Sequence, residues 1–321
     1  MSIGLDLGTT LFRSIRSTGT ELVGRQCGAV YTVLADTASH RRLLEQSGVR
    51  FATCSNDLVV FGQPAIEWAD ILNLPVISLL PDGRVPQSDP VARQILALMV
   101  DAVLPPAEQI GDVCCLTVPG GHDLSRHDLP YDVRFFQQLV ALRGYEPRLM
   151  TAGLAVVLAE LSAASFSGIG ISFGAGSCQV GVVHCGRELA NFGFDECLVD
   201  QSSERSDLNP ASEGAESNPN RTAARDHLLV RALTETLIAT RDELERRDVA
   251  RWMSQPTHIV CTGRPTAESG FLELLIQVWT SLEWPMKVGT LQIADDAVYS
   301  IARGCLIQSR IENRTANQRA A

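Results

Sequence analysis

The amino-acid sequence predicts an α/β protein built from two similar domains. Three observations lead there. Strand-like runs alternate with amphipathic helices, one strand-turn-strand unit occurs twice, and 321 residues suffice for about two hydrophobic cores. With 45% apolar and 20% charged residues, the composition is that of an ordinary folded chain.

The elements follow in order. Ile3, Leu5 and Leu7 share one face, Gly8-Thr9-Thr10 interrupts the alternation, and Leu11–Arg16 resumes it. That pattern predicts a strand, a tight turn and a returning strand. Gly111-Asp112 introduces the apolar run Val113–Val118, a buried strand that stops at Pro119-Gly120-Gly121. Val133, Phe136 and Val140 line one face of a helix over Asp132–Leu142, and Leu154, Val157, Leu158 and Leu161 mark the next helix. A second strand-turn-strand runs over Gly168–Val183 around Gly174 and Gly176.

Residues 201–222 have one leucine and no aromatic side chain. Such a segment buries too little apolar area to offset its ordering entropy, so a mobile loop is expected. Leu229, Leu233 and Leu237 then begin a long helix, whose wet face should carry the i,i+4 pairs Asp242–Arg246 and Glu243–Arg247. His258–Thr262 reads as a buried strand ending at Gly263, and Phe271–Leu282 as the helix with the cleanest apolar stripe.

Charge and residue usage exclude several functions. Of 27 basic residues only Lys287 is a lysine, and it follows Met286, so a Gly-Lys phosphate loop is absent. A strand lysine of the protein-kinase type and Schiff-base chemistry lose their candidates with it. A net charge of −10 argues against nucleic acid as the main partner. The nine cysteines contain no CxC or CxxC pair, so zinc is not expected; they read as small buried hydrophobes in a reducing compartment. Cys114 and Cys115 stand side by side in a strand and should face opposite ways. No apolar stretch approaches the roughly 20 residues of a membrane span, and the polar tail Ile311–Ala321 offers no apolar face. No membrane partner is expected, and the expected location is the cytoplasm.

The repeated unit carries the chemistry. Its two turns read Asp6-Leu7-Gly8-Thr9-Thr10 and Ser172-Phe173-Gly174-Ala175-Gly176-Ser177. Glycine at a hairpin tip lets backbone N–H groups approach an anion closely. Singly, each is an ordinary tight turn. Two of them facing across a cleft, with a third glycine turn at Cys261-Thr262-Gly263, can hold a triphosphate without lysine.

These motifs stand in the order found in the actin-like ATPase superfamily, of ribonuclease H-like fold, which the chain resembles over nearly its whole length. Ile3–Thr10 is similar to the family's first phosphate motif and Ile171–Val180 to its second. Leu116–Gly120 resembles the first connecting strand, Ala152–Val156 the second connecting helix, His258–Gly263 the adenosine motif and Ala302–Gly304 the closing helix. Phe61–Ala65 and Pro81–Val85 are similar to a segment of MreB, the bacterial cell-shape protein of this superfamily. The resemblance implies ATP or ADP between a domain I of residues 1–148, rejoined by a closing helix at 295–321, and a domain II of 149–294. It implies that Asp6 holds Mg²⁺ through water, that Gly8, Thr9 and Thr10 cradle the β- and γ-phosphates, and that Gly174, Ala175, Gly176 and Ser177 grip them from the other side. Gly263 and Arg264 would lie against the nucleoside.

Three positions depart from the family pattern. Ser172 replaces the aspartate that opens the second phosphate motif, so Mg²⁺ should bind more weakly. Ala152 replaces the glutamate that positions the attacking water, leaving Thr117, His122 and Asp123 as substitutes. Arg264-Pro265 follows Gly263 where further glycines are usual. The sequence therefore predicts nucleotide binding with slow or weak hydrolysis that drives a conformational switch. A nucleotide-regulated cytoskeletal filament and a non-catalytic scaffold of the same fold are the alternatives, with nucleotide and self-association or another protein as partners.

Overall fold

The computed structural model describes residues 2–120, 128–175, 177–194, 219–253 and 256–320. The expected loop at 201–222 falls almost wholly outside them. The first half opens with β1 (Ile3–Leu7), β2 (Leu11–Thr18) and β3 (Glu21–Gly28), which form an antiparallel meander. After an insertion come α3 (Pro90–Val103), β8 (Asp112–Thr117), α4 (Tyr131–Leu142) and β9 (Tyr145–Leu149). The sheet order is β3-β2-β1-β8-β9, with β8 and β9 parallel to β1. Helix α5 (Ala152–Glu160) then leads into the second half.

That half repeats the plan. Strands β10 (Gly168–Phe173), β11 (Cys178–His184) and β12 (Arg187–Phe194) form the second meander. Helix α6 (Pro219–Arg246), β13 (Thr257–Gly263), α7 (Phe271–Thr280) and β14 (Val288–Ile293) complete it, in the order β12-β11-β10-β13-β14. The two sheets are thus equivalent strand for strand. Each central strand is buried along its length, which is why Ile3–Leu7 and Gly168–Phe173 are the most continuously apolar parts of their hairpins.

The insertion between β3 and β8 forms a separate four-stranded sheet of order β5-β6-β4-β7, from β4 (Val30–Ala35), β5 (Phe51–Cys54), β6 (Asp57–Phe61) and β7 (Ile77–Ser78), with helices α1 (Ala38–Gln46) and α2 (Gln63–Leu72). It has its own small core around Leu34, Leu44, Leu58 and Ile66.

Helix α8 (Ser300–Ala320) returns to the first half and packs on β1 and β8. It crosses α5 where only glycine fits: a Cβ on Gly304 would lie 1.9 Å from the Ala155 carbonyl oxygen. The central strands approach these helices in the same way. A Cβ on Gly4 of β1 would stand 2.1 Å from Ala302 O of α8, and one on Gly170 of β10 would stand 2.2 Å from Gly153 O of α5.

Cys114 faces the core shared with Met99 and Val140, whereas Cys115 faces Cys305 and Met150 on the other side. Burial pushes the Cys115 thiol up to about 12, which removes it as a nucleophile. On the wet face of α6 the Glu243–Arg247 pair forms at 2.5 Å. Arg246, however, turns to Glu243 and Asp242 pairs with Arg241, both at 2.6 Å, so the expected Asp242–Arg246 bridge is absent. Glu243 collects two guanidiniums because its i+3 and i+4 neighbours both lie on its side of the helix. No helix among the described residues is long and apolar enough to cross a membrane.

Candidate functional site

The two hairpins are built by the same device. Gly8 N donates to Leu11 O at 3.0 Å in one turn, and Gly174 N donates to Ser177 O at 2.9 Å in the other. A Cβ would come within 2.9 Å of the acceptor oxygen at Gly8 and within 2.8 Å at Gly174, so each turn requires its glycine. The Gly8 amide is thereby engaged inside its own turn. Thr9 and Thr10 remain as the amides of that tip with which an anion can be met.

Both tips open into one cleft. Asp6, Gly8, Thr9, Thr10, Thr117, Gly174, Ala175, Ser177, Gly263 and Arg264 all line it, so ten of the residues selected from sequence come together. Gly176, Asp123 and His122 lie outside the described residues. Gly263, at φ 121°, abuts Phe173, whose carbonyl oxygen would be 2.0 Å from an added Cβ. Arg264–Ala267 then form a short 3₁₀ turn, closed by Thr266 Oγ1 donating to Gly263 O at 2.7 Å. The single glycine therefore serves strand packing, and the turn begins directly after it.

Asp6 is buried, and strand register decides its neighbours. Arg13 lies opposite it on β2 and Thr117 opposite it on β8. Thr117 Oγ1 donates to Asp6 Oδ1 at 2.8 Å, while Arg13 Nη1 donates to Oδ2 at 3.3 Å. Arg13 Nε is also buried and has no partner. A buried N–H without an acceptor carries a desolvation cost that an incoming anion removes.

On the facing hairpin the equivalent three positions are Ser172, Gln179 and Thr262. Gln179 Nε2 donates to Gly120 O at 2.7 Å, and its Oε1 accepts from Ala152 N at 3.3 Å. Neither Arg13 nor Gln179 was among the sequence candidates. Their signal was present: each falls on the returning strand at the position that pairs with Asp6 or Ser172, so its side chain shares their face.

Among the described residues no three His, Cys, Asp or Glu side chains converge as a metal cage. A lone carboxylate still suits Mg²⁺, which keeps most of its waters and takes few protein ligands. Asp6 fits such an outer role, with its charge shared with Arg13.

A family model described as Volactin matches residues 1–309. MreB 5 of Spiroplasma citri bound to AMPPNP is similar in structure, with a TM-score of 0.64 at 12% identity over 98% of both chains. The MamK double helical filament gives 0.59 at 14% identity, covering 96% of this chain and 98% of that one. The ethanolamine utilization protein EutJ from Carboxydothermus hydrogenoformans gives 0.51 at 14% identity, covering 95% and 89%. A sequence search of curated proteins found no significant match. At these identities the structural likeness establishes the actin-like two-domain fold, and the expected architecture is met.

Proposed function

The chain belongs to the Volactin family, and from its actin-like fold we propose that it binds ATP with Mg²⁺ in the cleft and hydrolyses it slowly, closing and opening with nucleotide state. The observation that carries this reading is the pairing of two identically built glycine turns across one cleft, with the buried, partnerless Nε of Arg13 beside them. The MreB 5 neighbour, solved with AMPPNP, lends support.

In this reading the amides of Thr9 and Thr10 and those of the Ala175–Ser177 turn bind phosphate oxygens from opposite sides. Mg²⁺, when bound, offsets charge on the β- and γ-phosphate oxygens. Asp6 orients the metal's waters, and Thr117 holds the Asp6 carboxylate in place. Arg13 supplies the positive charge that lysine provides in other phosphate sites. Gripping the phosphates from both halves favours the closed arrangement, which is how nucleotide state biases conformation.

Calorimetric titration with ATP, with and without Mg²⁺, tests the proposal. Asp6→Ala should weaken Mg²⁺-dependent binding roughly ten- to hundredfold, the range of a lost charge-assisted contact of about 1.5–3 kcal/mol. No binding of wild type at millimolar ATP would sink the idea.

Self-association is a second reading, favoured by the MamK filament among the neighbours. Light scattering on adding ATP separates a nucleotide-regulated polymer from a monomeric switch. A non-catalytic scaffold, suggested by Ser172 and Ala152, would bind nucleotide without releasing phosphate.

A further inference from the structure

A second hollow, of about 340 Å³, opens where four elements meet, and it shares no lining residue with the nucleotide cleft. Strand β9 contributes Arg148 and Leu149, α5 and its N-cap contribute Leu154 and Thr151, β12 contributes Glu188 and Asn191, and α8 contributes Gln308 and Glu312. Since β9 and α8 belong to the first half and β12 to the second, both halves wall it. Its size falls in the range of small-molecule pockets, roughly 300–1,000 Å³.

The polar lining is arranged to accept. One oxygen of Glu188 takes the Thr151 hydroxyl and the other takes Asn191 Nδ2 at 2.9 Å, so the carboxylate is held in one orientation by neutral donors. Thr151 is buried and fixed in turn, capping α5 by accepting from Leu154 N at 3.2 Å. On α8, Glu312 receives Gln308 Nε2 at 3.0 Å. Arg148, the cation of the lining, is bound to Glu146 at 2.6 Å. A carboxylate has about four lone-pair sites, so both glutamates keep acceptor positions and a negative charge to be met. Burial pushes the Glu188 carboxyl above its ordinary value despite its two hydrogen bonds, as expected of a charge without a counter-ion.

These features select the ligand. An anion would face two carboxylates. A bare metal ion lacks its cage, because among the described residues no three His, Cys, Asp or Glu side chains converge. Leu149, Met150 and Leu154 make part of the wall apolar, which suits a ligand with a hydrocarbon body.

We propose that this hollow binds a small aliphatic diammonium ion, one head donating to Glu188 and the other to Glu312, with its methylene spacer against Leu149, Met150 and Leu154. An ammonium has three N–H donors and no acceptor, the complement of an acceptor-only carboxylate, and hydrogen bonds between opposite charges are the stronger kind. Held at both ends, the ligand reaches from β12 of one half to α8 of the other. The site does not depend on the ATP reading above.

Calorimetric titration of the full chain without nucleotide tests this, using 1,4-diaminobutane beside butylamine, 1,4-butanediol and MgCl₂ at matched ionic strength. Wild type should bind the diamine with a Kd below about 1 mM and at least about tenfold more tightly than butylamine, which has one head. The uncharged diol should not bind. Glu188→Gln keeps the side chain's shape and should weaken the diamine about tenfold or more, the loss of one charge-assisted contact. Glu312→Gln should bring the diamine down to the affinity of butylamine. Melting curves establish that both variants are folded, and added diamine should raise the melting temperature of wild type but not of Glu188→Gln. Unchanged diamine binding in either variant overturns the proposal, as does equal affinity for butylamine, or no binding by wild type at about 10 mM diamine. An equal response to Mg²⁺ overturns it in favour of a surface that gathers any cation.

Discussion

The two hairpins that meet at the cleft share topology, register and turn geometry, but not chemistry. On one, the three side chains in line across the sheet are Arg13, Asp6 and Thr117; on the other they are Gln179, Ser172 and Thr262. The first trio holds an ion pair and the second is neutral. Hairpins of matching register have therefore been given different chemistry: an ion pair on one side, a directed carboxamide hydrogen bond on the other. Backbone repetition supplies the shape of the cleft, and single side chains at equivalent register positions decide what it does.

The comparison can be broken first where the halves touch. Gly304 on α8 meets Ala155 on α5 backbone to backbone, and an added Cβ would lie 1.9 Å from a carbonyl oxygen. Nothing flexible is there to move. Gly304→Ala should lower the unfolding free energy by about 3 kcal/mol, the upper range for overpacking, as read by urea denaturation. A cost under about 1 kcal/mol would mean that the helices slide apart easily, and that the halves are not held in fixed relation by this crossing.

A smaller change sharpens the chemical contrast. Ser172→Asp gives the second hairpin the carboxylate that the first already has. Gln179 stands opposite it where Arg13 stands opposite Asp6, so the returning strand offers the new charge no arginine and a metal is its natural partner. Mg²⁺ should enhance ATP affinity about tenfold more in the variant than in wild type, in line with an added charge-assisted contact. An unchanged Mg²⁺ dependence would show that Ser172 does not face the metal.

Much of this architecture was legible in the sequence, for a physical reason. Alternating apolar residues around a glycine turn report a hairpin whatever surrounds it, so both phosphate-type motifs were visible. So was the opposed orientation of Cys114 and Cys115, which needs only the two-residue strand period. The four-stranded insertion was not read. Its strands β4 and β6 are short apolar runs that pair with each other across α1, a non-local arrangement that no local pattern encodes. Arg13 and Gln179 escaped because a polar residue in a strand reads as solvent-facing. Here the sheet turns them into the cleft, and only the pairing register reveals it. Ala152 was read as a missing group; the carboxamide beside it arrives from residue 179.

The smallest expected effect concerns a carboxylate that, unlike Asp6, forms no ion pair among the described residues. Glu188 of β12 lines a hollow with Arg148, Gln308 and Glu312, and its carboxylate accepts hydrogen bonds from the Thr151 hydroxyl and from Asn191 Nδ2. Burial pushes its carboxyl above the ordinary 4.5, although the hydrogen bonds from Thr151 and Asn191 pull the other way. A carboxyl raised on folding contributes stability that is fully present below 4.5 and lost as pH rises through its folded value. At neutral pH Glu188 is therefore a mild liability, whereas Asp6 is offset by Arg13. Glu188→Gln keeps the shape and an acceptor for Thr151 but removes the charge. It should raise the melting temperature at pH 7 by an amount worth less than about 1 kcal/mol, given partial solvent screening, and the gain should shrink towards pH 4.5. A gain that instead grew as pH fell would mean that Glu188 is stabilised as the anion.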